Sequence, residues 1–231
     1  MIVNLKTIDT ILKNQIVLDY EDNLSFLKTI CYQKQKEYND KSKTIFIISG
    51  GIAAGKSTLC YNVVKTIGLY NLPFVGTDVF YERYFKNLSS FEEDYNKARK
   101  FTDDVLNELV KEGTSFVWET VFSKEKKMQM LSSIEDAGYK IIVFYVGVDL
   151  DIAIERSNRR EEKGGNDVDE MFIKDRFHKS NQSLRHLSQL PFDLYVFDNK
   201  KELGLVYAHN GSEYYLSNSL PAWAKEVFND D

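Results

Sequence analysis

"TIFIISGGIAAGKSTLCYNVVKTI", residues 44–67, runs from an apolar strand through a glycine loop into a helix-forming segment. The loop itself, Gly50, Gly51, Ile52, Ala53, Ala54, Gly55, Lys56, Ser57 and Thr58, contains the spacing G-x-x-x-x-G-K-[ST]. That spacing acquires meaning only between a strand and a helix, which is where it stands. Small residues let successive backbone N–H groups curl around a phosphate, and the helix N-terminus adds partial positive charge. Lys56 can then reach the outer phosphates, and the Ser57 hydroxyl suits Mg²⁺. The stretch predicts a nucleoside triphosphate site, with ATP and Mg²⁺ as its ligands. The plain alternative is a glycine-rich turn that merely joins strand to helix.

Four further apolar runs read as strands: "PFVGT" (73–77), "SFVWE" (115–119), "IIVFYVG" (141–147) and "FDLYVFD" (192–198). Most are apolar throughout, as in strands covered on both faces. Helical patterns separate them. In "SSFEEDYNKARKFTDDVLNELVKEG" (89–113), Phe91, Tyr95, Ala98, Phe101, Val105 and Leu109 form one stripe. Ser89 and Ser90 with Glu92 and Glu93 provide capping boxes, and Gly113 is a stop. "SKEKKMQMLSSIEDAG" (123–138) is a second helix. Such alternation predicts an α/β P-loop fold, a five-stranded mainly parallel sheet flanked by helices, with ligands at the carboxyl ends of the strands. Outside the alternation lie a helical N-terminal extension (1–43) and, within a P-loop domain of 44–231, a C-terminal hairpin "LGLVYAHNGSEYYL" (203–216) with an Asn-Gly turn.

A formal net charge of −5 over 231 residues argues against general electrostatic binding to nucleic acid or an anionic membrane. Any anion must be caught locally. Two cysteines, Cys31 and Cys60, no long apolar run and no signal-peptide pattern lead to the expectation of a cytoplasmic protein. His178, His186 and His209 form no metal-ligand or triad spacing.

Phosphoryl transfer requires a group beside the acceptor hydroxyl, commonly an acid that takes its proton. Asp78, just past the second strand and on the same sheet edge as the glycine loop, is the candidate base; a helix N-cap is its bland alternative. Glu119 ends the third strand, where an acid can hold Mg²⁺ through water or accept hydrogen bonds from substrate hydroxyls; Thr120 follows it. Trp118 reads as core. In "DLDIAIERSNRREEKGG" (149–165), Arg159 has Glu155 and Glu162 as helical neighbours. Arg156 and Arg160, four apart, have no acid at those spacings, and neither does Arg176 in "FIKDRFHKS" (172–180). Either a tertiary contact satisfies them or an anion does. Residues 150–185 therefore read as a helical lid, hinged at Gly164-Gly165, that brings arginines over polyphosphate.

With these residues placed, the chain resembles the zeta-toxin family of P-loop kinases from about residue 44 to residue 225. The resemblance is carried by "GGIAAGKSTL", the aspartate of "GTDVF", "FVWETVFS", "AGYKIIVFYVGVD", "IERSNRREEKGGNDVDEMFIKDRFHKSNQSL" and "DLYVFDN". It implies an ATP- and Mg²⁺-dependent kinase that phosphorylates the sugar 3′-hydroxyl of UDP-N-acetylglucosamine. Lys56 and Ser57 would hold phosphates and metal, Asp78 would be the base, and Glu119 and Thr120 would contact substrate. Arg160 and Arg176 would stabilise the transferring group, with Arg156 also matching the pattern. A small helical antitoxin is the implied protein partner. Two positions depart from the family's lid, which carries histidine and proline where this chain has Asn166 and Asp169. The rival readings are a P-loop ATPase, a kinase for a nucleotide or polynucleotide hydroxyl, and a nucleotide-sensing module without catalysis.

Overall fold

Thr44–Gly50 forms β1, every residue of it buried. The computed structural model describes residues 43–69, 72–122, 125–163, 168–210 and 214–228. The proposed extension up to residue 42 and the hinge Gly164-Gly165 lie outside the described residues. β1 is followed by α1 (Lys56–Ile67), β2 (Phe74–Gly76), a short α2 (Thr77–Phe80) running into a π-helical turn (Tyr81–Phe85), and α3 (Phe91–Glu112). Then come β3 (Phe116–Thr120), α4 (Glu125–Asp136), β4 (Lys140–Gly147), α5 (Leu150–Glu162), α6 (Glu170–Leu187), β5 (Asp193–Asp198), β6 (Gly204–His209), β7 (Tyr214–Leu216) and α7 (Ala222–Phe228).

The sheet order is β2-β3-β1-β4-β5-β6-β7, with β1 to β5 parallel and the last two pairings antiparallel. The sheet thus has seven strands rather than five. The expected C-terminal hairpin extends the sheet itself, because β6 pairs with β5 from Leu194↔His209 to Asp198↔Gly204, with a shift in register between Val196 and Phe197. Alternate residues of β1 feed opposite cores: Phe46 and Ile48 pack with Leu59, Val63 and Phe144 on one face, Ile45 and Ile47 with Leu106, Trp118 and Leu131 on the other. Both faces are covered, which is why the strand is apolar without alternation.

The order places β1 at the centre. The chain leaves it for β2 on one side and later crosses to β4 on the other, so the topological switch lies between β1 and β3. Open α/β sheets bind ligands at that point, beyond the carboxyl ends of the strands. The register there sets Ser49 opposite Thr120, and Glu119 between Ile48 and Gly76.

α3 differs from its sequence reading. Its fully buried residues are Asp94, Ala98, Thr102 and Leu106, while Phe91 and Phe101 keep 55% and 38% of their surface. The stripe is rotated because the aromatics at its edge pack laterally. Phe101 lies edge-on to Phe80 at 5.0 Å, and Phe91 stacks on Tyr95 at 5.4 Å. Ser90 caps the helix through the Glu93 N–H at 3.3 Å. Ser89 takes a different role from the one expected, donating instead to Asp94 Oδ1 at 2.7 Å.

Candidate functional site

The glycine loop is shaped by backbone that only glycine tolerates at two points. Gly50 has φ +151°, and a Cβ there would stand 2.2 Å from the Val146 carbonyl oxygen. Gly55, at φ +101°, precedes α1, and its Cβ would meet the Asn199 amide at 2.1 Å. A Cβ on Gly51, by contrast, would have nothing within 4 Å, so the loop is open at that point. Lys56 Nζ donates to the Gly51 carbonyl at 2.9 Å and lies 3.4 Å from that of Gly50. A lysine folded onto its own loop is placed to exchange those carbonyls for phosphate oxygens. Loop, lysine and the half-buried Ser57 fit an ATP-Mg²⁺ pair by donor chemistry.

Four of the predicted residues act on one another electrostatically. Burial pulls the Lys56 ammonium below its ordinary value; Glu119 and Asp78 push it back up, and Arg160 adds to the lowering. Glu119 is pushed up to about 7, mainly by burial and further by Asp78, against the opposing effects of Lys56, Arg160 and Lys127. β1–α1, β2–α2, β3 and α5 therefore deliver one residue each to a shared charge cluster at the switch point. Perturbed charges of this kind concentrate at functional sites.

Asp78 is not an N-cap. The helix begins after Gly76, with no side-chain cap, and Asp78 sits exposed in its first turn. Its Oδ1 instead accepts a hydrogen bond from the Tyr95 hydroxyl of α3. Thr120 is buried and its hydroxyl accepts from Lys127 Nζ of α4, which also lies 5.8 Å from the Trp118 ring centre. Trp118 itself is core. Neither Tyr95 nor Lys127 was singled out from sequence: Tyr95 fits an apolar stripe, and Lys127 stands in a lysine run.

The arginines divide. Arg159 pairs with Glu155 at 2.7 Å on the surface, as its spacing suggests. Arg156 is satisfied by backbone: its Nη2 donates to the carbonyls of Asn199 at 2.7 Å and Lys200 at 3.2 Å, beyond β5. Asn199 in turn donates from Nδ2 to the Ala54 carbonyl at 2.9 Å and from its N–H to Gly147. Arg156 thus braces the segment that braces the glycine loop. Arg160 faces the charge cluster. Arg176 lies over the Phe172 ring at 4.7 Å and 3.8 Å from Asp175, the acid directly before it, and is not among the main charges acting on Lys56 or Glu119. Its neighbour Phe177 and Asn181 line a small crevice beneath Gly51, Ile52 and Ala54, so α6 does approach the loop. Asp169, where the family pattern has proline, caps α6 by accepting from the N–H groups of Met171 and Phe172. A wider cleft lined by Asp149, Lys200, Ser217 and Pro221 contains none of the predicted site residues.

Among the described residues no helix is long and apolar enough to cross a membrane, and no group of three or more acids, histidines or cysteines is arranged to hold a metal.

A search of curated proteins finds no matching sequence. Among solved structures, the AvrRxo1-ORF1:AvrRxo1-ORF2 complex with sulphate ions is similar at TM-score 0.65 and 16% identity, covering 89% of this chain and 69% of that one. The same complex with ATP gives TM-score 0.65 and 16% identity over 90% and 69%. A structure from the PezAT chromosomal toxin-antitoxin system of Streptococcus pneumoniae gives TM-score 0.61 and 15% identity over 93% and 89%. At these identities the likeness speaks to fold. The sequence pattern of the zeta toxin family matches residues 29–211. Covering most of the sequence, that match means that the chain belongs to the zeta toxin family, whose fold is that of the P-loop kinases.

Proposed function

We propose that this protein is an ATP-dependent phosphotransferase that moves the γ-phosphate of Mg-ATP to a hydroxyl of a small molecule. The observation that carries the reading is the shared electrostatic cluster of Lys56, Asp78, Glu119 and Arg160 beside the glycine loop. A protein that only senses nucleotide needs the loop and Lys56. It has no use for an exposed carboxylate held at the neighbouring strand end. The sugar 3′-hydroxyl of UDP-N-acetylglucosamine is the first acceptor to test, on the family resemblance.

The loop N–H groups and Lys56 hold the β- and γ-phosphates, and Ser57 is the residue that would ligate Mg²⁺. When bound, Mg-ATP supplies the transferable phosphoryl group and the metal's counter-charge. Asp78 takes the proton of the acceptor hydroxyl; Glu119 and Thr120 orient that acceptor from β3. Arg160 stabilises charge on the transferring group, an effect worth roughly 10³ to 10⁵ in rate in such reactions. Arg176, on the neighbouring α6, is the second arginine proposed to stabilise that group. ATP as the donor is supported by the ATP complex among the similar structures. The PezAT toxin-antitoxin system supports an antitoxin as the protein partner, and the ORF1:ORF2 complex supports a protein partner more generally.

The test incubates the protein with Mg-ATP and a panel of nucleotide sugars and follows new phosphorylated species by mass spectrometry. Phosphorylated UDP-N-acetylglucosamine is the expected product. ATP consumption at the same rate with and without every acceptor would replace the kinase reading with an ATPase one.

A further inference from the structure

Tyr95 stands in the middle of an apolar stripe, 17 residues after Asp78, and nothing in the family motifs draws attention to it. Its ring is fixed from several sides. Phe91, one turn earlier, stacks on it at 5.4 Å and 25°, the Tyr81 ring lies 5.5 Å away, and the Arg99 guanidinium sits 4.7 Å from its centre. A phenol so clamped can point its hydroxyl in one direction, and it points at Asp78 Oδ1. Asp78, for its part, is exposed on a four-residue helix that has no side-chain cap. Left alone, a carboxylate there would sample several rotamers and present both oxygens to water.

Resting on the phosphotransferase reading, we propose that Tyr95 is a positioning residue that occupies Asp78 Oδ1 and leaves Oδ2 to receive the acceptor's proton. In the step, the acceptor O–H bond breaks and its proton passes to Oδ2, while the acceptor oxygen bonds to the γ-phosphorus. The bond from that phosphorus to the bridging oxygen breaks, its electron pair leaving with the nucleoside diphosphate. Tyr95 loses no proton at any stage. Burial first, and then the negative charge and hydrogen bond of Asp78, hold its phenol far above the ordinary tyrosine range, so it remains a donor throughout. Arg99 of α3 lies over the Tyr95 ring itself, and the other charges facing this corner are Lys56 from α1 and Glu119 from β3. These last two attract and repel the carboxylate respectively but do not select which oxygen faces the acceptor. The hydrogen bond does.

Tyr95→Phe keeps the ring, and with it the stacking on Phe91 and Tyr81, so folding is preserved. Transfer from Mg-ATP to the nucleotide-sugar panel should fall about 10- to 100-fold in kcat, the size expected of a misplaced catalytic group, with the KM for ATP unchanged. The decisive arm is the double variant. Asp78→Ala with Tyr95→Phe should be no slower than Asp78→Ala alone, because Tyr95 acts only through Asp78. Wild-type kcat in Tyr95→Phe, or a full additional loss in the double variant, overturns the proposal while Asp78 keeps its role. Full activity in Asp78→Ala removes Asp78 as the base, and Tyr95 with it. A wild-type protein that consumes no ATP with or without any acceptor overturns the phosphotransferase reading itself.

Discussion

The two halves of the site are built by opposite means. On the proposed nucleotide side, Gly50 to Thr58 form one continuous stretch, and the groups offered to a phosphate are backbone N–H groups, a helix end and one lysine. On the proposed acceptor side, Asp78, Tyr95, Glu119, Thr120 and Lys127 come from four separate elements and would act through side chains. A phosphate makes the same demand in every P-loop protein, so its cradle can be a short local motif. An acceptor hydroxyl must be held in a direction that depends on the rest of the acceptor. That direction is set by the sheet register, Gly76 against Glu119 and Ser49 against Thr120, which only the whole fold supplies.

Single substitutions can separate the halves. Lys56→Ala should abolish both ATP binding, measured calorimetrically, and transfer. Asp78→Ala should keep ATP affinity within a factor of a few while transfer drops by about 10² to 10⁴. Equal losses of ATP affinity in the two variants would erase the division. Gly50→Ala attacks the nucleotide side through backbone alone: a Cβ 2.2 Å from the Val146 carbonyl cannot be accommodated, and strain of this kind is worth about 2 to 3 kcal/mol. Thermal unfolding should show a fall in Tm of several degrees, with weakened ATP binding. Asn199→Ala removes the only described brace on the Ala54 carbonyl that comes from beyond β5. It should raise the KM for ATP about 5- to 50-fold with a smaller change in kcat, consistent with leaving one part-buried acceptor unpaired.

The acceptor side carries a pH signature of its own. Glu119 is raised from its ordinary 4.5 to about 7, so the folded protein binds this proton more tightly than the unfolded chain does. Its contribution to stability is fully present below about pH 4.5 and is lost as pH rises to about 7, becoming level beyond. Glu119→Gln should flatten that part of the Tm-against-pH curve. If the ionised carboxylate orients the acceptor, transfer should also rise through pH 7 in the wild type and lose that limb in the variant. The smallest effect belongs to Arg159→Ala, which breaks an exposed pair with Glu155. Stability by denaturant titration should change by less than about 0.5 kcal/mol, and activity not at all.

Legibility in the sequence follows the same division. The glycine loop was readable because its chemistry is local, and the strands because burial on both faces leaves apolar runs. Asp78 and Glu119 are candidates by their place at strand ends, and the structure brings them into one charge cluster. The hairpin's membership of the sheet was not readable, since pairing of β6 with β5 is a long-range choice that an Asn-Gly turn does not encode. Tyr95 and Lys127 carry no spacing signal. A tyrosine on a helix stripe looks like core, and its hydroxyl's target sits on another element. Arg156 stood out because it lacked a local acid, but what satisfies it is a pair of carbonyls, which sequence spacing does not report.

The Trp223 indole of α7 packs over Gly147, where a Cβ would come within 2.4 Å of the ring, and its N–H donates to Asp198 Oδ1 at 2.8 Å. Asp198 is followed by Asn199, which both Arg156 and the Ala54 carbonyl engage. α7 is therefore a prop under the proposed nucleotide pocket. Trp223 is itself almost fully buried, so changes there, far from any motif, would lower stability and loosen the grip on ATP together.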